Sequence, residues 1–176
     1  TLLNIIWVVP MIVLDSNGIV YKTHSLCRGS NRNRLRKAGN GDTPTGKAST
    51  SYSPNKHRGN LRYGNNGLIE LTGITGEFQR ASKNGRDGIA IHGGHTVGYG
   101  KLINDKGKLM PTYGCIRIYN DSMKRLTEIY NEYKNKKYKI YCYIEDYNGD
   151  INDVYEHYEM KKDPKDSQRT GNSKKQ

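Results

Sequence analysis

Residues 88–120 read GIAIHGGHTVGYGKLINDKGKLMPTYGCIRIYN, and this stretch decides how the fold is interpreted. An apolar run ends at His92-Gly93-Gly94, and a second element ends in a turn that carries Cys115. Short apolar runs bounded by glycine are typical of strands that end in exposed turns. The stretch therefore predicts a strand leading into His92 and a turn that presents Cys115.

A cysteine and a histidine that both lie in turns indicate nucleophilic chemistry. A free thiol with a pKa of about 8.5 is only about 3% thiolate at neutral pH, so a nucleophilic cysteine needs a positive neighbour or a base. His92 is the natural base. Gly114 lacks a Cβ atom and lets the chain turn sharply, which exposes Cys115. The backbone amides of Gly114 and Cys115 are the expected oxyanion donors, at about 3 to 4 kcal/mol per donor.

The rest of the chain reads as a series of short strands. Residues 11–27 contain two β-branched runs separated by Asp-Ser-Asn-Gly, which predicts a hairpin. Further strands are predicted at residues 47–52, 67–72, 88–92 and 138–145, and a helix at residues 121–135, capped by Asn120 or Asp121. No alternation of strands and helices is visible. The expected fold is mainly β, a sandwich or closed barrel with one helix after Cys115.

The domain organisation follows from composition. Residues 1–145 form one predicted domain, and within it residues 28–46 are dense in Arg, Asn, Gly and other turn-formers, which predicts a long surface loop. Residues 146–176 lose apolar periodicity and carry many charges, so they are predicted to be a largely flexible extension.

The net charge of +12 and the isoelectric point near 9.6 predict attraction to a polyanion. No recognisable nucleic-acid reading element accompanies the charge, so no nucleic-acid partner is expected, whereas an anionic cell-wall polymer fits. The most apolar stretch, residues 2–14, is interrupted by Asn4 and Pro10, and no transmembrane segment is predicted. The chain begins at Thr1 and shows no signal peptide of the usual form.

The three cysteines lie far apart and match no metal-ligand spacing, so neither a metal nor another cofactor is predicted. In an oxidising compartment, Cys27 and Cys142 could form a disulfide that leaves Cys115 as the odd thiol. The alternative is that both are small buried residues on strands.

A His-Gly at the end of a strand, followed by Thr112-Tyr113-Gly114-Cys115-Ile116-Arg117, resembles the active-site signature of the L,D-transpeptidase (YkuD-like) family. Upstream, the GDTPTG of residues 41–46 resembles the Thr-Pro-Thr-Gly turn of the same family, which we expect to shape the fold. The two motifs stand in the family's order, and the resemblance covers roughly residues 11–145.

The resemblance implies a cysteine acyltransferase that acts on peptidoglycan stem peptides. The cysteine would cleave the bond before the terminal D-alanine through a thioester and pass the acyl group to an amine. It implies Cys115 as nucleophile, His92 as base, the Gly93 carbonyl as the group that orients His92, and Arg117 as a binding or site-shaping residue. Such a substrate implies an extracytoplasmic location, in the periplasm or cell wall.

Two features depart from the family pattern. Nineteen residues separate His92 from Thr112, a slightly long gap that an insertion near residues 104–109 would explain. Sixteen residues separate His95 from Thr112, which fits the usual gap better, but only His92 directly follows an apolar run. Tyr113 stands where many members have His. Thr112, Tyr113 and His95 are therefore predicted to bind substrate and not to catalyse.

Other functions fit the same residues. The thioester could pass to water or to a free D-amino acid, which would make the protein an L,D-carboxypeptidase, an exchange enzyme or an antibacterial effector toxin. In a different class, the chain would be a non-catalytic basic module that binds wall polymer or nucleic acid.

Overall fold

The computed structural model describes residues 8–29, 33–35 and 41–166. The described chain is mainly β, as predicted. Its strands are β1 (Val9–Asp15), β2 (Gly18–Leu26), β3 (Gly46–Ser53), β4 (Leu68–Gly73), β5 (Ala90–His92), β6 (Ile116–Ile118) and β7 (Tyr141–Ile144). Its helices are α1 (Gly76–Lys83), α2 (Asn120–Asn135) and α3 (Ile151–His157), followed by a 3₁₀ turn (Pro164–Asp166).

All seven strands belong to one curled sheet with the order β1-β2-β6-β5-β4-β3-β7. Within the described residues β1 and β7 are not paired with each other, so the sheet is a half-barrel with two edges. The prediction of a sandwich or a closed barrel was wrong in this respect. The end of β1 is covered instead, because α3 packs against it and Asp166 accepts a hydrogen bond from the Val8 amide at 3.1 Å.

The predicted hairpin is present as β1 and β2. Asp15 pairs with Gly18 across a two-residue loop, and Gly18 has a φ of 130°, which an L side chain rarely adopts. The Asp15 carboxylate also accepts a hydrogen bond from the Asn17 amide at 2.8 Å, as short polar side chains do in tight turns. The strands predicted at residues 47–52, 67–72, 88–92 and 138–145 correspond to β3, β4, β5 and β7.

One pair of strands in the sheet is parallel. β5 and β6 pair with the register Ile91 to Ile116 and His92 to Arg117. The connection between them, residues 93–115, lies wholly within the described chain and contains no helix. It is held by the hydroxyl of Thr96, which accepts from the Gly107 amide at 2.9 Å, and by Leu109, which is fully buried.

The helix predicted after the cysteine is α2, and it packs against the sheet. Its buried side chains are Met123, Leu126, Thr127, Ile129 and Tyr130. Met123, Leu126 and Tyr130 join residues of β3, β4, β5 and β6 in one apolar core. Asn120, the first residue of α2, ties the helix to the connection, because its side chain accepts from the Gly94 amide at 2.9 Å and donates to the Gly94 carbonyl at 2.8 Å.

Two helices were not predicted. α1 has only two buried side chains, Phe78 and Ala81, which is too short a pattern to distinguish from a loop. α3 lies in the part of the chain that was predicted to be flexible. Residues 151–166 instead contact the sheet, because Tyr155 is buried and donates to the Val8 carbonyl at 2.7 Å. The remainder of the predicted extension, residues 167–176, lies outside the described residues.

We expect Tyr155→Ala to lower the free energy of unfolding by about 3 kcal/mol, because it removes a buried ring and a buried hydrogen bond. Tyr147→Ala is the matched control, since Tyr147 is 55% exposed and should change stability by less than about 0.5 kcal/mol. Urea unfolding at pH 7.5 measures both. Equal effects of the two substitutions would show that the C-terminal segment does not contribute to the fold.

Candidate active site

A cavity of about 550 Å³ opens beside β5 and β6. Its lining includes Tyr63, Arg86, His92, Cys115 and Arg117. Side chains alternate between the two faces of a strand, so Cys115 and Arg117 share one face of the sheet, while the buried Ile116 faces the apolar core. His92 lies opposite Arg117 on the same face. The parallel register therefore brings Cys115 and His92 into one cavity as diagonal neighbours on adjacent strands.

His92 is held in one tautomer by its neighbour. Its Nδ1 lies 2.7 Å from the Gly93 carbonyl, the hydrogen bond that the resemblance implied. A carbonyl only accepts, so Nδ1 carries the proton and Nε2 of the neutral ring has a free lone pair. Burial, and then the charge of Arg117, lower the pKa of His92 to about 4. The imidazole is therefore neutral at pH 7 and able to accept a proton.

The thiol of Cys115 is half-buried and reaches the cavity. It donates to the Gly88 carbonyl at 3.4 Å. Burial raises the pKa of this thiol, while the Ala90 amide and then the charges of Arg117 and Arg86 act to lower it. In the resting protein Cys115 and His92 are thus both neutral, and are not a thiolate and an imidazolium.

The turn at Cys115 is closed by one hydroxyl. Thr112 donates to the Cys115 carbonyl at 2.7 Å and accepts from the Gly114 amide at 3.1 Å. Two predictions need correction for this reason. Thr112 lines the cavity, but its hydroxyl proton is used within the turn, so it is not free to donate to a substrate. The Gly114 amide is engaged in the same turn, so only the Cys115 amide remains as an oxyanion donor in this geometry.

Residues 41–46 contact the turn that carries Cys115. Thr43, buried in the structure, donates to the Gly114 carbonyl at 2.6 Å. Asp42 accepts from the Gly29 amide at 2.9 Å. This segment was predicted to be part of a surface loop, but residues 41–44 are buried because their polar groups hold the cysteine turn. The family-like Thr-Pro-Thr-Gly turn is structural here, as we expected.

Arg117 is a buried charge on the cavity wall. It is only 4% exposed, and it donates through Nη1 to the His95 carbonyl at 3.0 Å. Its Nε has no hydrogen-bond partner, and no carboxylate forms an ion pair with it, among the residues that the structure describes. Burial lowers the pKa of Arg117 to about 10, which leaves it charged at pH 7. An uncompensated buried cation favours an anionic ligand.

The other predicted binding residues also lie at the cavity. His95 is half-buried, with Nε2 at 2.8 Å from Met110 Sδ, and its buried Nδ1 has no partner in the described ranges. Burial, and then the charge of Arg117, lower the pKa of His95. Tyr113 is 63% exposed at the rim. The predicted binding residues therefore line the same cavity as His92 and Cys115. These binding residues are His95, Thr112, Tyr113 and Arg117.

Sequence analysis missed two residues of the site. Tyr63 comes from the connection between β3 and β4, and its ring centroid lies 4.8 Å from that of His92. Arg86 precedes β5 and is only 5% exposed. Neither lies in a motif, and no pattern within either segment indicates which distant residues it will meet. Only the tertiary fold brings them to the cavity.

The remaining cysteines lie away from the cavity lining and are free thiols. Cys27 and Cys142 are partly buried and pack against the apolar core, which agrees in part with the second alternative, since Cys142 lies on β7 but Cys27 follows the end of β2. Burial raises the pKa of Cys27 to about 11 and that of Cys142 to about 12. Across residues 8–29, 33–35 and 41–166, no group of three or more His, Cys, Asp or Glu side chains is arranged to hold a metal ion.

Comparisons with protein-family models, with curated proteins and with solved structures found no match for this chain. In the part of the chain that the structure describes, none of the helices combines the length and apolar character needed to cross a membrane.

The pKa of His92 predicts a pH dependence of stability. Because the pKa of His92 is about 4 in the folded protein and has its usual value of 6.5 in the unfolded chain, the unfolded chain binds a proton between these pH values that the folded chain does not. Between pH 7.5 and 5, the wild-type protein should lose about 2 kcal/mol more unfolding free energy than His92→Gln. Urea unfolding at both pH values measures this, and parallel losses in the two proteins would contradict it.

Proposed function

We propose that the chain is a cysteine acyltransferase of the L,D-transpeptidase type that acts on peptidoglycan stem peptides. The observation that carries the proposal is the shared cavity, which is lined both by Cys115 and by a neutral His92 oriented by the Gly93 carbonyl. Nucleophile, base and orienting group are the parts that thiol acyl transfer requires. The finer fold assignment, an L,D-transpeptidase-like sheet, is part of the same proposal.

The reaction follows from these positions. As the Cys115 sulfur attacks the carbonyl carbon before the terminal D-alanine, His92 Nε2 takes the thiol proton. The Cys115 amide donates to the oxyanion that forms. When the intermediate collapses, the C–N bond breaks and His92 returns the proton to the departing amine. An acceptor amine then attacks the thioester, gives its proton to His92, and releases the Cys115 thiol.

The charge of the site favours a substrate that ends in a carboxylate. Arg117 lines the cavity that holds the thiol, and its buried Nε has no hydrogen-bond partner among the described residues. A terminal D-alanine places its carboxylate next to the scissile bond, within the same cavity. The carboxylate would balance the buried guanidinium, which is the electrostatic reason to prefer cleavage at the end of a stem. The net charge of +12 also favours the anionic wall polymer, and with it an extracytoplasmic location.

Cys115→Ala should abolish turnover of a tetrapeptide-stem muropeptide, and His92→Gln should lower kcat by about a hundredfold or more, because each removes a reacting group. Mass spectrometry of the digested products measures turnover. Cys142→Ala is the matched control, since that thiol lies outside the cavity lining and should leave turnover unchanged.

The products also distinguish the related functions. Crosslinked dimers indicate transfer to an amine, whereas shortened stems indicate an L,D-carboxypeptidase and exchanged terminal residues indicate use of free D-amino acids. Turnover by Cys115→Ala, or salt-sensitive polymer binding with no reaction, would overturn the acyltransferase proposal.

Amidation of the terminal carboxylate of the substrate should lower kcat/KM about ten- to a hundredfold, because a charge-assisted contact with Arg117 is lost. In Arg117→Gln the free and the amidated substrate should react at similar rates, since the partner of the carboxylate is absent. Competition kinetics with both substrates measure the two ratios. A large preference for the free acid in Arg117→Gln would contradict the assignment.

A further inference from the structure

Arg86 is a buried arginine that binds the backbone. It lies between α1 and β5 and is 5% exposed. Its Nη1 donates to the Asp42 carbonyl at 2.8 Å and to the Arg34 carbonyl, and its Nη2 donates to the Gly41 carbonyl at 2.5 Å. Three carbonyl acceptors on one guanidinium fix both the side chain and the segment that supplies them.

That segment is the one that holds the nucleophile. Thr43, next to two of the Arg86 acceptors, donates to the Gly114 carbonyl at 2.6 Å. Arg86 also lies directly against the turn, because a Cβ atom on Gly114 would overlap its Nη2. Gly114 additionally has a φ of 111°, so this glycine is required both by the backbone and by the guanidinium. The position of Cys115 therefore depends on Arg86 through two routes.

The charge of Arg86 lies at the cavity that Cys115 also lines. The guanidinium lines the same cavity as the Cys115 thiol. Its three hydrogen bonds described above all go to neutral carbonyls, and no ion pair involves Arg86 within the described ranges. The charges of Arg117 and then Arg86 lower the pKa of the Cys115 thiol, against the effect of burial. A thiolate formed here would have two guanidinium groups as neighbours.

We propose that Arg86 is a positioning residue for the nucleophile, which fixes the Cys115 turn through the carbonyls of residues 34, 41 and 42 and supplies positive charge beside the sulfur. The inference deepens the proposed function, and its kinetic part rests on that function. The charge contribution does not rest on the proposed function, because it acts on the thiol itself. Since His92 is neutral at rest, the guanidinium groups are the fixed positive charges that a thiolate meets.

The test measures alkylation of Cys115 by iodoacetamide as a function of pH, followed by intact mass. In Arg86→Gln the midpoint of the rate profile should move up by about one pH unit, because a nearby opposite charge is removed. The rate at pH 7 should then fall by about tenfold. Arg86→Lys keeps the charge and should keep the wild-type midpoint. Arg125→Gln, which removes a 54% exposed arginine from α2, is the matched control and should leave the profile unchanged.

Acyl transfer tests the positional part. Arg86→Lys cannot bind three carbonyls in one plane, so kcat should fall about tenfold while KM stays within about twofold. A folded Arg86→Gln with the wild-type alkylation profile would overturn the charge contribution. If Arg86→Gln does not fold, Arg86→Lys decides alone, and wild-type kcat in that variant overturns the positional part. If the wild-type protein alkylates at Cys115 but does not turn over muropeptides, the proposed function fails while the alkylation profile still tests Arg86.

Discussion

The parallel pairing of β5 with β6 is the constraint on which the site depends. In its register His92 lies opposite Arg117, and Cys115, two residues before Arg117 and directly before β6, lies on the same face of the sheet. A shift of one residue would turn His92 or Cys115 into the apolar core. The register is specified by that core, because Ile91 and Ile116 pair directly beneath the site and are both buried. Apolar packing on one face of the sheet thus aligns the polar side chains on the other face.

Burial and fixed charge together determine which charged forms the cavity favours. Burial disfavours every charged form at the site, so it keeps the Cys115 thiol and His92 neutral. The guanidinium of Arg117 stays charged in the same surroundings, without a carboxylate in the described part of the chain. The guanidinium would therefore stabilise negative charge on the sulfur, on an oxyanion or on a bound carboxylate.

Local signals account for the parts of the structure that sequence analysis predicted correctly. The Asp-Ser-Asn-Gly turn defined the first hairpin, and apolar spacing at three and four residues defined α2. The sequence around His92 and Cys115 indicated two residues that line the same cavity, because their glycine-rich turns are local features. By contrast, α3 gave little local signal, since one buried ring, Tyr155, makes its main contact with a residue 147 positions away.

The same distinction applies within the site. The Gly93 hydrogen bond to His92 joins adjacent residues and was predictable from a family signature. The hydrogen bond from the Gly114 amide to the Thr112 hydroxyl was not predictable. It depends on how the turn closes and not on which residues the turn contains.

The cysteine turn is held by groups from three separate segments. Thr43 binds its carbonyl, Thr112 closes it, and Arg86 packs against Gly114 where a side chain would not fit. Each contact alone is a modest interaction of about 1 kcal/mol, but together they restrict the turn in different directions. A nucleophile attached to a loop gains precision only when the loop cannot relax, since a displacement of about 1 Å is costly to catalysis. Contacts from residues distant in sequence thus restrict the position of a cysteine that lies outside the strands.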